Sequence, residues 1–300
     1  MDGLRLDGRV AVVTGGAGAI GAAVCRDLAA LGARVVVADV DEDGAVAVAD
    51  EINGTSKGPA GPPRPPRPPG PSVPPGPPHP SRPPEPPVPP GPSVPPGPRS
   101  GSRTGPRAPA VALCVDLADP GSVERVPDRT GPVDILVNNA GISIVEPFAT
   151  SDPAGWELMW RVNLRGPMLL TRLLLPGMTE RGWGRLVFVS SDGARAGSGG
   201  EGAYAATKAG LFGLAKSLAR EAARGGVTSN VVCPGPTDTP MLRRVDAERP
   251  GLVGRIVRDV PLRRLGTPED VAGLVAYLCT DRAAYVTGQT LSVSGGVTMH

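Results

Sequence analysis

The chain has 300 residues, of which 40% are hydrophobic and 20% charged, proportions typical of a globular protein with a sizeable core. The formal net charge is only +2, so no basic excess indicates nucleic acid or an anionic membrane as a partner. The first residues carry acids where a signal peptide needs basic residues, and no apolar run is long enough to span a bilayer. We therefore expect a cytoplasmic protein that binds neither nucleic acid nor membranes.

The four cysteines are widely separated and form no CxxC pair. Zinc sites and disulfide frameworks use cysteines at short, regular spacing, so neither is predicted and no metal is expected. Buried free thiols are the expectation for Cys25, Cys114, Cys233 and Cys279.

Short β-branched runs alternate with helical segments at the start of the chain. Residues 9–14 and 34–39 predict buried strands, and residues 20–31 between them space their apolar side chains along one helical face. Gly32 is expected to end that helix, and an alanine-rich segment at 42–52 predicts a second one. A strand, a helix and a second strand form a βαβ unit, which implies a parallel sheet covered by helices.

Proline, glycine, serine and arginine dominate residues 58–109, where the phrase PPGPSVPPGP occurs twice. Proline lacks a backbone donor and fixes φ, so this stretch can form neither a helix nor a central strand. It also lacks the apolar residues that would offset its ordering entropy, and its irregular glycine spacing excludes collagen. We expect a disordered, polyproline-II-like insertion within a single domain; a PxxP-type docking segment is the alternative.

After the insertion the alternation resumes and completes an α/β fold. The strands after the insertion and the first two make about seven in total. The sequence therefore predicts a single-domain, Rossmann-type, doubly wound parallel sheet. Further strands are predicted at 111–116, 134–139, 185–190, 228–234 and 289–295, and helices near 155–178, 202–223 and 268–279.

A glycine-rich turn, TGGAGAIG, joins the first strand to the first helix and contains a GxGxxG pattern at Gly16, Gly18 and Gly21. Glycines let the backbone approach a pyrophosphate, whose charge the helix N-terminus favours; a glycine turn that binds nothing is the alternative. Asp39 ends the second strand, where a carboxylate can bind a ribose diol and repel a 2′-phosphate. No lysine or arginine follows it closely, so NAD(H) is favoured over NADP(H).

Tyr204 and Lys208 lie four residues apart at the start of a predicted helix, so both side chains can address one site. A nearby cation favours phenolate over phenol. Tyr204 could then exchange a proton with an alcohol or a carbonyl oxygen while hydride moves at the neighbouring carbon. The same spacing also arises by chance on surface helices.

Taken together, these motifs make the chain resemble the classical short-chain dehydrogenase/reductase superfamily over nearly its whole length outside 58–109. The resemblance implies an oxidoreductase that interconverts a small-molecule alcohol and a ketone. It rests on TGGAGAIG (14–21), NNAG (138–141), VNLRG (162–166), Ser190-Ser191, YAATK (204–208), PGPTDT (234–239) and GQTLSVSGG (288–296).

The resemblance also implies a catalytic tetrad of Asn163, Ser191, Tyr204 and Lys208. Ser191 would bind the substrate oxygen, Lys208 would lower the tyrosine pKa and bind the nicotinamide ribose, and Asn163 would hold a water. Asn138 would lie beside the adenosine half of the cofactor. The implied cofactor contacts are Gly15, Gly16, Gly18, Ile20, Gly21, Asp39, Asp116, Asn138, Ala140, Gly141, Tyr204, Lys208, Pro234, Gly235 and Thr239.

Two departures and two alternatives accompany this interpretation. Ala19 stands where the family usually has glycine, and residues 117–133 are short for a helix and interrupted by Pro127. The segment 240–265, at the position of the family's variable substrate loop, is rich in arginines that could recognise a carboxylate or phosphopantetheine-linked substrate or form a solvated charged face. A cofactor-binding scaffold without turnover, or an interaction protein that uses the insertion, are the alternatives. Relatives are often tetramers, so the resemblance also implies a homotetramer with the helices near 155–178 and 202–223 at the interface.

Overall fold

The computed structural model describes residues 3–55, 109–248 and 250–299. The predicted insertion lies outside these residues except for Pro109, so its disorder and its docking role stay predictions. Across the three described ranges, no helix is both long and apolar enough to cross a membrane. The same ranges contain no group of three or more His, Cys, Asp or Glu side chains that could hold a metal ion.

Seven parallel strands form one sheet in the order β3-β2-β1-β4-β5-β6-β7. This confirms the predicted doubly wound, Rossmann-type fold. The chain adds β2 and β3 on one side of β1, then crosses to the other side and adds β4 to β7 there. The strands are β1 Val10–Thr14, β2 Arg34–Asp39, β3 Val111–Cys114, β4 Ile135–Asn138, β5 Gly184–Val189, β6 Val227–Pro234 and β7 Thr290–Val293.

Helices connect the strands and cover both faces of the sheet. A π-helical turn, Arg161–Arg165, joins the fifth helix to the sixth. The helices are α1 Ala19–Ala30, α2 Glu42–Asn53, α3 Pro120–Glu124, α4 Val126–Thr130, α5 Pro153–Trp160, α6 Gly166–Glu180, α7 Gly193–Ala196, α8 Gly202–Glu221, α9 Pro240–Glu248, α10 Leu252–Asp259 and α11 Pro268–Leu278.

The core has two layers because alternate residues of each buried strand point to opposite faces of the sheet. Val13 packs in the layer that α1, α2 and α11 cover, whereas its neighbour Val12 packs in the layer that α6 and α8 cover. Both side chains are fully buried. The β-branched runs therefore form strands in which both faces contribute to the core.

Two segments differ in detail from a continuous helix. The stretch expected near 155–178 is divided into α5, the π-helical turn and α6. Residues 117–133 form only the short helices α3 and α4, as the sequence indicates, and Pro127 lies in the first turn of α4. Proline is tolerated there because the first N–H groups of a helix have no partner within it.

Candidate active site

A cleft of about 730 Å³ lies at the carboxyl ends of the strands, beside the point where the chain order reverses between β1 and β4. Open α/β sheets bind ligands at such a point, and the volume is in the range of cofactor sites. Most of the predicted site residues line this cleft. They are Gly15, Gly18, Ile20, Gly21, Asp39, Asp116, Ala140, Gly141, Ser191, Tyr204, Lys208, Pro234, Gly235 and Thr239.

Two predicted cofactor contacts do not line the cleft. Asn138 is 1% exposed and donates from Nδ2 to Thr171 Oγ1 on α6, so its side chain is turned away from the cleft and its place beside the adenosine half stays a prediction. The neighbouring Asn139 lines the cleft, and its side chain donates to the carbonyls of Thr14 and Gly15. Gly16 instead packs against β2, where a Cβ would lie 2.7 Å from Val37 Cγ1.

The glycine turn leaves no room for side chains at two positions. Gly15 has a φ of +65°, and a Cβ built on it would lie 2.7 Å from the Ala140 Cα. At Gly21 a Cβ would lie 2.0 Å from the Gly15 carbonyl oxygen. Ala19 begins α1, whose N-cap residue Gly18 is extended and makes no side-chain capping bond. The first N–H groups of the helix therefore stay available to an anion.

Asp39 closes the other side of the turn. Its Oδ2 accepts from the Ala17 N–H at 3.0 Å, and its Oδ1 accepts from the Asp41 N–H at 3.1 Å. A carboxylate has about four acceptor positions, so each oxygen can still bind a hydroxyl group. The carboxylate at the end of β2 is thus held in place by backbone bonds while one side of it faces the cleft.

Tyr204 and Lys208 lie on the first two turns of α8, which brings both side chains to the opposite end of the cleft. Burial raises the pKa of Tyr204 to about 12; a hydrogen bond with Ser191 opposes the rise, and the negative charge of Glu201 adds to it. This is the reverse of the shift expected from Lys208: burial dominates the pKa of the phenol, and the ammonium is not among the groups that shift it.

The Lys208 ammonium is 3% exposed and donates to the Val189 carbonyl at 3.0 Å and the Ala140 carbonyl at 3.5 Å. Burial lowers the pKa of Lys208 to about 8. No carboxylate within the described ranges lies at ion-pair distance from it. Gly141 leaves the necessary space, since a Cβ there would lie 2.7 Å from Lys208 Nζ.

Asn163 lies in the π-helical turn and is fully buried, so it does not line the cleft. Its Oδ1 accepts from the Ile142 N–H, and its Nδ2 donates to the Ile142 carbonyl and to Thr207 Oγ1. Both amide hydrogens are therefore used within the protein. The side chain positions the segment that packs over Lys208; its role in holding a water stays a prediction.

Comparison with known proteins decides the family. Residues 102–298 match the family described as Enoyl-(Acyl carrier protein) reductase, and residues 9–60 match the family described as short chain dehydrogenase. The chain is 33% identical to the 3-oxoacyl-(acyl-carrier-protein) reductase of Escherichia coli (strain K12), over 99% of this chain and 100% of that protein. The chain belongs to the short-chain dehydrogenase/reductase superfamily. It is an oxidoreductase of that superfamily.

Two solved structures of similar proteins carry different cofactors. One, from Beutenbergia cavernae, is named for an NAD(P) dependent gluconate 5-dehydrogenase and holds NADP at low occupancy; it is 31% identical, with a TM-score of 0.75 over 98% of each chain. The other is a 7α-hydroxysteroid dehydrogenase with NADH and 7-oxo glycochenodeoxycholic acid; it is 27% identical, with a TM-score of 0.77 over 98% of this chain and 95% of that one. Short-chain dehydrogenases of this fold thus include structures with either nucleotide.

Sequence reasoning missed several polar groups around the catalytic end of this short-chain dehydrogenase. Asp192 is 5% exposed and accepts from Ser292 Oγ, which in turn accepts from Arg195. Glu201 accepts from Ser143 Oγ at 3.4 Å. An acid directly after Ser191 and an acid three residues before Tyr204 are visible in the sequence, but their contacts come from segments far away along the chain.

Proposed function

We propose that this short-chain dehydrogenase is an NAD(H)-dependent enzyme that interconverts a secondary alcohol and a ketone. The observation that carries the proposal is one continuous cleft with a glycine turn and Asp39 at one end and Ser191, Tyr204 and Lys208 at the other. The three relatives named above act on different molecules, but their names share chemistry at a carbon that bears oxygen.

The residues at the glycine end fit a dinucleotide. Gly15 and Gly21 exclude side chains where a pyrophosphate would approach, and the uncapped start of α1 supplies N–H donors and a positive dipole end. Asp39 has free acceptor positions for a ribose diol. A bound nicotinamide would supply or accept the hydride, and the ammonium of Lys208 lies where it can donate to a ribose hydroxyl.

Tyr204 is the proposed acid and base. Its raised pKa keeps the phenol protonated at neutral pH, so it can give a proton to a carbonyl oxygen during reduction. Ser191, whose Oγ accepts from the Gly193 N–H at 3.1 Å, is held beside the phenol and is proposed to donate to the same carbonyl oxygen. During alcohol oxidation the phenolate would take the proton, and that form becomes more abundant as pH rises.

Asp39 supports the proposed preference for NAD(H). A 2′-phosphate would be placed against this carboxylate and near Asp41, which also lines the cleft. Among the described lining residues the cations are Lys208, at the catalytic end, and Arg244 on α9. The two acids repel a 2′-phosphate, and the glycine turn has no cation that would bind one. Both features favour NAD(H), which lacks this phosphate.

The test is nicotinamide absorbance with purified protein, with secondary alcohols and ketones offered alongside NAD(H) and NADP(H). We expect turnover with NAD(H) and its loss in Tyr204→Phe. Undiminished turnover in Tyr204→Phe contradicts the mechanism, whereas a clear preference for NADP(H) contradicts only the cofactor assignment. Deletion of 58–109 tests the alternative that the chain is an interaction protein. That alternative predicts that the deletion abolishes partner binding and leaves turnover unchanged.

Cytoplasmic location and a homotetramer belong to the same proposal. Leu158, Trp160 and Met168 on α5 and α6 are each at least 40% exposed, and such apolar side chains are typical of a surface that a second subunit covers. Sedimentation velocity of the purified chain measures the assembly directly. A monomer at micromolar concentration contradicts it.

A further inference from the structure

Glu201 is an acid that the proposed mechanism does not use, and it lies near Ser191 and Tyr204, which line the catalytic end of the cleft. It directly precedes α8, three residues before Tyr204. Its Oε1 accepts from Ser143 Oγ at 3.4 Å, and Ser143 directly follows Ile142, which lines the cleft. The side chain is only partly exposed.

The second carboxylate oxygen faces Ser191 across the space that Gly193 leaves open. A Cβ built on Gly193 would lie 3.3 Å from Glu201 Oε2 and 3.4 Å from Ser191 Oγ. Both oxygens therefore lie beside one small gap. Because Ser191 is the proposed partner of the reacting oxygen, a substituent on the adjacent carbon that extends past Ser191 would approach Glu201 Oε2.

No cation compensates this charge within residues 3–55, 109–248 and 250–299. The salt bridges there do not include Glu201, and the nearby Arg195 donates instead to the Thr290 carbonyl and Ser292 Oγ. The Glu201 charge also acts on the Tyr204 phenol. An uncompensated carboxylate repels an anionic substituent at this place and binds a hydroxyl group through a charge-assisted hydrogen bond.

We propose that Glu201 selects substrates with a second hydroxyl group on the carbon next to the reacting one, as in vicinal diols and polyols. Its free Oε2 accepts a hydrogen bond from that hydroxyl, while Ser191 and Tyr204 address the reacting oxygen. The inference rests on the proposed function and narrows its substrate class. A plain ketone or alcohol lacks the second hydroxyl and leaves the carboxylate without this bond.

The experiment compares cyclohexane-1,2-diol with cyclohexanol in wild type and in Glu201→Ala. We expect the wild-type ratio of kcat/KM to favour the diol and to fall about tenfold in the variant, the effect typical of one charged hydrogen bond. The ratio cancels any change in Tyr204, which affects both alcohols equally. Gly193→Ala, which fills the gap with a methyl group, should lower the same ratio.

Glu221→Gln is the matched control, because Glu221 is an exposed acid at the far end of the same helix. It should leave the ratio at its wild-type value. An unchanged diol-to-cyclohexanol ratio in Glu201→Ala overturns the proposal, as does a wild-type preference for cyclohexanol.

A binding measurement separates this inference from the proposed reaction. 2-Hydroxycyclohexanone and cyclohexanone, the ketones that correspond to the two alcohols, are titrated into the complex of Tyr204→Phe with NADH, followed by nicotinamide fluorescence. Tighter binding of the hydroxyketone that disappears in the Tyr204→Phe/Glu201→Ala double variant supports the role of Glu201 even if turnover fails. Equal binding of the two ketones overturns it even if turnover is normal.

Discussion

At the glycine turn the cleft is walled by backbone, whereas at the Tyr204 end it is walled by side chains from distant segments. Gly15 and Gly21 leave no space for a methyl group because carbonyl and Cα atoms stand against them. Around Tyr204, by contrast, the neighbours are side chains. Glu201 accepts from Ser143 and lies near Ser191, and these residues come together only because the fold places separate segments side by side. The backbone at the glycine turn therefore restricts that end to one kind of ligand. At the Tyr204 end, single substitutions of side chains can alter which substrate binds.

The largest expected effect lies at the side-chain end. Tyr204→Phe removes the hydroxyl that exchanges the proton, and loss of such a group typically costs roughly 10²- to 10⁴-fold in rate. Binding of NADH should change little, because the cofactor is proposed to bind mainly at the backbone end. Steady-state kinetics and a fluorescence titration with NADH measure the two quantities. A rate within threefold of wild type would remove Tyr204 from the mechanism.

The backbone end should respond in the opposite way. Gly21→Ala sets a methyl group against the Gly15 carbonyl oxygen, which also accepts from the Gly18 N–H and from Asn139 Nδ2, so the turn must distort. We expect NADH affinity to fall roughly tenfold to a hundredfold, the usual range for overpacking a tight site. Gly213→Ala is the control: it is a helical glycine with no neighbour within 4 Å, and it should leave affinity unchanged. Equal affinity in both variants would contradict a role for the turn in binding.

The same contrast explains how far the sequence predicts this molecule. The strands follow from β-branched runs buried on both faces, and Asp39 is placed correctly because a strand end and a glycine turn are local features. Which of the two adjacent asparagines faces the cleft does not follow from the motif, because successive residues at a strand end point to opposite sides: Asn138 is bonded to Thr171, whereas Asn139 lines the cleft. The raised pKa of Tyr204 depends on burial, which no spacing reveals.

A smaller effect is expected from the charge of Asp39. Asp39→Asn keeps the size of the side chain but removes the charge that would repel a 2′-phosphate. The ratio of kcat/KM for NADP⁺ over NAD⁺ should rise about tenfold, the scale of one charged hydrogen bond or repulsion. Asp41→Asn is the matched variant, since Asp41 lines the cleft but also accepts from the Gly44 N–H at the start of α2. An effect of Asp41→Asn larger than that of Asp39→Asn would contradict the assignment.

The smallest expected effect is a shift in pH dependence caused by Glu201. The groups acting on the Tyr204 phenol are Ser191, which lowers its pKa, and Glu201 and Cys233, which raise it together with burial. Alcohol oxidation needs the phenolate, so its rate rises with pH toward the raised pKa. Glu201→Gln removes one negative charge, lowers that pKa and moves the rising limb to lower pH.

Cyclohexanol is the right substrate for this measurement because it has no second hydroxyl group for Glu201 to bind. At a fixed pH on the rising limb, its oxidation should be roughly threefold to tenfold faster in Glu201→Gln, since a charge at this separation acts through a partly screened medium. Lys208 and Cys233 are unchanged in the variant, so the shift reports the acid alone. A limb displaced to higher pH, or not at all, would show that the Glu201 charge does not reach the phenol. The Gln variant would then differ from wild type only in how it binds a diol.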